Sequence, residues 1–264
     1  MLHIKELVKV FNKGNSEEKT LFNNLDLHVN KKDFITVIGS NGAGKSTLLN
    51  IITGTLSLDE GTISLENEEI TRVLEHERSK YMGRVYQDPS KGTSPSMTIL
   101  ENLSLAYNKG KSFGLGYGVN KKNLNHFKER LATLNLGLEN KLNDKVSLLS
   151  GGQRQALALL MATMVTPKLL LLDEHTAALD PKTSENIIGL TDSIVKEKNI
   201  TTLMVTHNIN HAIKYGNRII MMHKGRIIMD AQGEEKQALT PEKIIGYFNN
   251  ISQDEGLSDR IILN

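Results

Sequence analysis

The sequence has no cysteine. Disulfides and thiolate-bound metals are therefore excluded, a usage compatible with a reducing cytosol. Long hydrophobic runs are missing as well: stretches such as "ALALLMATMV" fall well short of the roughly 20 apolar residues that span a bilayer. The first residues, MLHIKELVKVF, place charges at alternating positions and lack the apolar core of a secretory leader. Any link to a membrane is expected to run through a partner. Charge of one sign is scarce too, because 32 Lys and Arg face 30 Asp and Glu for a net +2. That balance gives no electrostatic case for nucleic acid as a partner. No internal repeat or low-complexity tract is visible.

What remains is a chain of 264 residues with 39% hydrophobic and 23% charged content, ample for a sizeable core. Strand and helix patterns alternate along it. "DFITVIG" (33–39) reads as a short buried strand and "GKSTLLNIITG" (44–54) as the helix that follows. "KLLLLDE" (168–174) and "ITTLMVTH" (200–207) are apolar runs too short for core helices, better read as parallel strands. Between them Asp180 is a candidate N-cap with Pro181 at the first helical position, opening a helix to about Lys198. Strand–helix–strand at this spacing predicts a parallel α/β sheet. "RIIMMHKGRIIMD" predicts a hairpin turning at Lys224-Gly225, and Thr240-Pro241 opens a last helix. The middle, from about 90 to 165, reads as a helical insertion.

The first chemical motif is "GSNGAGKST", which fits G-x-x-x-x-G-K-[ST] after a strand and at the start of a helix. It comprises Gly39, Ser40, Asn41, Gly42, Ala43, Gly44, Lys45, Ser46 and Thr47. The glycines allow backbone N–H groups to wrap phosphate oxygens, and the helix start adds positive potential. Lys45 suits the β- and γ-phosphates, and the Ser46 hydroxyl suits Mg²⁺. The motif predicts a nucleoside-triphosphate site. In "LLLLDEHTAALD" (169–180), Asp173 ends an apolar run, as a Mg²⁺-holding acid does beside a phosphate loop. Glu174 comes next, is expected to point to the other side of the strand, and can polarise an attacking water. Without the phosphate loop the two acids would read as a polar strand end. In "LLSGGQRQALALLMATMV", Ser150 is a candidate N-cap followed by Gly151, Gly152 and Gln153, a second helix start able to face an anion.

Taken in this order, these motifs resemble those of ATP-binding cassette (ABC) ATPases, and the resemblance covers most of the chain. It implies a P-loop NTPase α/β core with a parallel sheet, an N-terminal antiparallel β subdomain and a helical signature subdomain at about 90–165. One cassette is expected over 1–249, followed by a short tail, 250–264. The resemblance makes Ser150 to Gln153 the signature motif, which contacts ATP held by the opposite protomer. It makes Asp180, ending "AALD", a contact to that protomer. Phe11 resembles the aromatic that stacks on adenine, although a core or edge-strand role competes. Gln87 resembles the glutamine that contacts Mg²⁺ and water and senses the permease. His207 resembles the switch histidine that touches the γ-phosphate and orients Glu174.

The implied cofactors are ATP and Mg²⁺. With one set of motifs per chain, the implied assembly is a homodimer or a heterodimer with a similar cassette. Its partners would be integral membrane permease subunits, and its place the cytoplasmic face of the membrane. The wording of "DEHTAALDPKTSENI" and "VTHNINHAIKYGNRIIMMHKGRII" is similar to bacterial uptake cassettes that work with a branched-chain-amino-acid-type permease and a substrate-binding lipoprotein. Some of those are linked to aromatic amino acids. A soluble cassette driving a cytosolic assembly complex and the ATPase of an exporter are the alternatives. Two features stand apart. The glycine- and lysine-rich stretch 108–122 reads as a flexible solvated loop or as a basic contact for the permease or lipid headgroups. His175 occupies a position where the family usually has proline. It is expected to be a local turn residue, with a pH-sensitive site as the competing reading.

Overall fold

The computed structural model describes residues 1–111, 118, 119 and 121–254, with the backbone alone for residues 121 and 250–254. Part of the glycine- and lysine-rich stretch (112–117 and 120) and the end of the tail (255–264) lie outside the described residues. In chain order the first elements are β1 (Leu2–Phe11), β2 (Lys19–Val29), β3 (Phe34–Gly39), α1 (Lys45–Thr53), β4 (Glu60–Leu65), β5 (Glu68–Glu69) and α2 (Glu75–Arg78). The middle holds β6 (Met82–Val85), α3 (Ile99–Tyr107), α4 (Leu124–Ala132), α5 (Gly151–Ala162), β7 (Leu169–Asp173) and α6 (Pro181–Lys198). Then come β8 (Thr201–Val205), α7 (Ile209–Lys214), β9 (Arg218–His223), β10 (Arg226–Gln232), α8 (Gly233–Gln237) and α9 (Pro241–Asp254). The chain forms two compact units, one from Met1–Arg78 with the chain from Leu203 on, the other from Ser79–Thr202.

In the first unit, β1 and β2 pair antiparallel, and β4 and β5 extend that sheet in the order β2-β1-β4-β5. Apolar residues recur on one face: Leu2, Ile4 and Leu7 of β1 and Phe22, Leu25, Leu27 and Val29 of β2 are buried. That is the pattern of a sheet with one packed and one wetter side. β3, FITVIG, is buried along nearly its whole length, as an interior parallel strand must be. It runs parallel to β9 from Ile35↔Arg218 to Gly39↔Met222, within the order β10-β9-β3-β8. The β9–β10 hairpin turns at Lys224 and Gly225, whose φ values of 45° and 75° suit the primed turns that match strand twist. Ile38, Ala212, Ile219, Met221, Ile244 and Phe248 close a core under α9.

In the second unit β6 and β7 pair in parallel from Met82↔Leu169 to Val85↔Leu172. The four leucines of β7 are fully buried. Between these strands the described residues hold helices and no strand. α3 and α5 each start with a capping box, Thr98 with Glu101 and Ser150 with Gln153. α6 starts on Asp180, whose carboxylate accepts from the Thr183 N–H at 3.0 Å, with Pro181 at the first helical position. Ile99 and Leu103, Phe127 and Leu131, Leu157 and Leu160, and Ile187 form one core between the helices. Each such side chain contributes about 1.5–3 kcal/mol on burial.

Two boundaries differ from the sequence expectation. β7 ends at Asp173, and Glu174 lies beyond it with φ 47°. Strand alternation therefore does not orient Glu174; a left-handed turn residue does. β8 ends at Val205, so His207 sits two residues past the strand, not at its end. In both places the polar residue marks the turn, and only the apolar run is extended.

Candidate active site

The phosphate-loop motif in the first unit joins β3 to α1. Gly42 and Gly44 have φ values of 77° and 99°, backbone that residues with a Cβ adopt at a cost. Gly39 is required for space, because a Cβ there would lie 2.2 Å from the Met222 carbonyl oxygen on β9. α1 begins on Gly44 with no side-chain cap and no acidic residue in its first turn. Gly44 has no side chain to cap the first N–H groups and no carboxylate lies in the first turn, which suits phosphate. α5 differs, because its capping box already engages the N–H groups of Ser150 and Gln153. Lys45 is 6% exposed, and its ammonium donates to the carbonyl oxygens of Gly39 at 2.7 Å and Ser40 at 3.0 Å. The cation thus lies along the loop it is expected to complete. Ser46 and Thr47 follow in the first turn of α1.

The hairpin turn of β9–β10 braces this loop. The Gly225 N–H donates to the Ala43 carbonyl at 3.0 Å, and Ser40 Oγ lies 3.3 Å from His223 Nδ1. Asn41 is exposed in the loop. Phe11 ends β1, half-buried, with Lys9 Nζ 5.6 Å from its ring centroid. His207 is exposed just before Asn208 caps α7 by accepting from the His211 N–H.

The second unit carries the acids. Asp173, half-buried at the end of β7, has Oδ2 3.4 Å from Arg84 Nη2 on β6. Glu174 follows in its left-handed turn. His175 is 2% exposed, and its Nε2 lies 3.0 Å from Thr191 Oγ1 on α6. Gln87 is exposed just past β6. Tyr86, before it, accepts through its carbonyl from the buried Gln155 of α5 at 3.2 Å. Gly151 and Gly152 open α5, and a Cβ on Gly152 would lie 2.4 Å from Thr183 Cγ2 of α6. That glycine therefore serves helix packing whatever else it does. Asp180 is exposed, and the hydroxyl and N–H of Thr183 hold its carboxyl below the usual carboxylate range.

Three neighbours of these residues escaped the sequence reading: Arg84, Thr191 and His223. Arg84 is placed by strand pairing. It stands three residues before Gln87 on a strand whose register Arg84↔Leu171 puts it on the same face as Asp173, two residues on. Thr191 and His223 carry no local signal, since their partners are distant in sequence.

Ser46, Gln87 and Asp173 offer only oxygen donors, the set a hard divalent cation prefers. Among the described residues no group of three or more His, Cys, Asp or Glu could hold a metal by itself. No helix among the described residues is long and apolar enough to cross a membrane.

A family described as ABC transporter matches residues 22–177. The chain is 52% identical over 248 residues to a tyrosine transport ATP-binding protein of Clostridioides difficile, covering 94% of this chain and 98% of that one. It is 34% identical over 238 residues to a spermidine/putrescine import ATP-binding protein of Pasteurella multocida, covering 88% of this chain but only 60% of that one. A dimeric ATP-binding cassette solved in a post-hydrolysis state with ADP and phosphate superposes with a TM-score of 0.75 at 31% identity. That match covers 88% of this chain and 98% of that cassette.

Proposed function

Since this chain belongs to the ABC transporter ATP-binding family, we propose that it hydrolyses ATP to drive bacterial uptake of an amino acid, with aromatic amino acids as the substrate class. The observation that carries the ATP reading is the start of α1, with no side-chain cap and with buried Lys45 lying along its loop. The substrate class rests on the likeness to the tyrosine transport relative.

In this reading residues 1–249 act as one cassette. Gly39 to Thr47 cradle the phosphates, with Lys45 on the β- and γ-phosphates, and Phe11 stacks on adenine. Ser46, Gln87 and Asp173 hold Mg²⁺, which supplies charge neutralisation for the departing phosphates. Glu174 accepts a proton from the attacking water, and His207 orients Glu174 against the γ-phosphate. Ser150, Gly151, Gly152 and Gln153 of one protomer close over the nucleotide of the other, with Asp180 at the same contact. Two cassettes, identical or paired with a similar chain, dock on membrane permease subunits at the cytoplasmic face. A substrate-binding lipoprotein completes the complex.

The test is affinity purification from detergent-solubilised membranes, followed by uptake of labelled tyrosine and phenylalanine in cells whose only copy carries Lys45→Ala. Recovery of a multi-span permease and loss of uptake are expected. A soluble scaffold in place of the permease, with uptake intact, would refute the transporter reading.

A further inference from the structure

We propose that Arg84 is a positioning residue that holds the Asp173 carboxylate in place before the metal binds and thereby limits how tightly the site takes a divalent cation. The inference rests on the reading of Asp173 as a metal ligand. β6 and β7 are parallel neighbours, and Arg84 pairs in register with Leu171. Side chains two apart share a face of a strand, so Arg84 and Asp173 emerge on the same side. The side chains of Arg84 and Asp173 are only 11% and 14% exposed. In such surroundings a carboxylate needs a counter-charge, and the guanidinium is one.

The pair is loose. The guanidinium Nη2 stands 3.4 Å from the carboxylate Oδ2, well beyond the ~2.7–2.9 Å of a tight N–H···O bond between charges. A divalent cation with twice the charge can outcompete a contact of that length. Arg84 also has a second support, because its guanidinium carbon sits 4.4 Å from the centroid of the Tyr86 ring. When Asp173 turns to a metal, Arg84 remains stacked on Tyr86, next to Gln87. Its charge then stays close to the bound cation and opposes it. The same residue therefore does two things: it orients the acid without metal and weakens the metal's hold once the metal is bound. Metal retention then depends on the phosphates, so the cation arrives and leaves with nucleotide.

The experiment measures Mn²⁺ binding by electron paramagnetic resonance, in place of Mg²⁺, to the full chain saturated with a non-hydrolysable ATP analogue. Arg84→Gln and Arg84→Met should each tighten Mn²⁺ binding by about tenfold, while Arg84→Lys, which keeps the charge, should stay within about twofold of the parent. The two neutral variants differ in polarity, so either one that folds delivers the result. Unchanged or weaker Mn²⁺ binding in the neutral variants overturns the proposal. Asp173→Asn separates the two levels of the argument. If it weakens Mn²⁺ binding, the ligand reading stands and the Arg84 variants decide the inference. If it leaves Mn²⁺ binding unchanged, the reading of Asp173 itself fails.

Discussion

His175 Nε2 donates to Thr191 Oγ1 across 3.0 Å. The direction follows from the hydroxyl's single proton, which Thr191 gives to the Ile187 carbonyl at 2.8 Å. The ring is buried, so the residue after Glu174 is pinned to α6 by its side chain. Where the resembling cassettes stiffen this turn with proline, this chain does so with a hydrogen bond to a neighbouring helix. Thr191→Val keeps the volume and removes the acceptor. It should lower the unfolding free energy by about 1–3 kcal/mol, the cost of a buried polar group left unsatisfied. Urea denaturation measures it, and an unchanged midpoint would show that the bond contributes nothing.

His175→Pro is the sharper substitution at the same place. Proline is what the resembling cassettes carry here, but in this chain it removes the side-chain donor that pins the turn to Thr191 of α6. Turnover should drop at least tenfold at saturating ATP while ATP affinity holds. The sequence alone favoured a replaceable turn residue, and activity equal to the parent from pH 6 to 8 would restore that view.

Glu174→Gln should reduce hydrolysis by a factor on the order of 10²–10⁴ while nucleotide binding persists, because only the proton acceptor is lost. Size-exclusion chromatography with ATP should then show a trapped dimer. Normal turnover in this variant would remove the general-base assignment.

Lys45→Ala removes an ammonium that the loop carbonyls of Gly39 and Ser40 already hold in place. Nucleotide affinity should fall by more than tenfold, as expected when a charged phosphate partner worth about 1.5–3 kcal/mol is lost. Titration with a fluorescent ATP analogue reads this directly, and an unaltered dissociation constant would sink the phosphate-loop reading.

Lys236 gives a pH-dependent outcome. Its ammonium donates to the carbonyl oxygens of Tyr215 and Gly216 at the end of α7, and burial pushes its pKa down from 10.5 to about 8. Between about pH 8 and 10.5 the unfolded chain holds this proton and the folded chain does not, so stability from this group rises with pH across that window. Lys236→Met should flatten that rise in urea midpoints taken at several pH values. A wild-type profile that falls over the same window, with the variant unchanged, would contradict the assignment.

What the sequence made legible follows from which interactions are local. β3 and β7 are continuous apolar runs because interior strands are covered on both faces. The starts of α5 and α6 are readable because Ser150 with Gln153, and Asp180 with Pro181, are caps made within one turn. Glu174 was misplaced in the strand because apolar patterning ends at Leu172 and carries no information on φ beyond it. Arg84, Thr191 and His223 could not be assigned because each acts through a partner brought close by the fold. The candidate site residues rest on local motifs and, for Phe11, Gln87 and His207, on the family resemblance, whereas the residues that hold them are set by packing.

Gly152 tests the separation between motif and packing most directly. It lies in the stretch that resembles the signature motif, so a loss of activity on substitution would ordinarily be credited to nucleotide contact. Yet a Cβ there would lie 2.4 Å from Thr183 Cγ2, on the first turn of α6. Threonine is stiff at χ1, so the clash is relieved by moving a helix or changing rotamer against its cap. Gly152→Ala should therefore destabilise the protein by about 1–3 kcal/mol through overpacking. Thr183→Ser removes the clashing methyl and retains the hydroxyl that supports Asp180. The double variant Gly152→Ala with Thr183→Ser should regain most of the lost stability in urea unfolding. ATPase activity of the double variant then isolates the remaining effect: full recovery assigns Gly152 to α5–α6 packing, and persistent loss with stability restored assigns it to the nucleotide. If the single variant is as stable as the parent, the close approach of the two helices is not what requires glycine here.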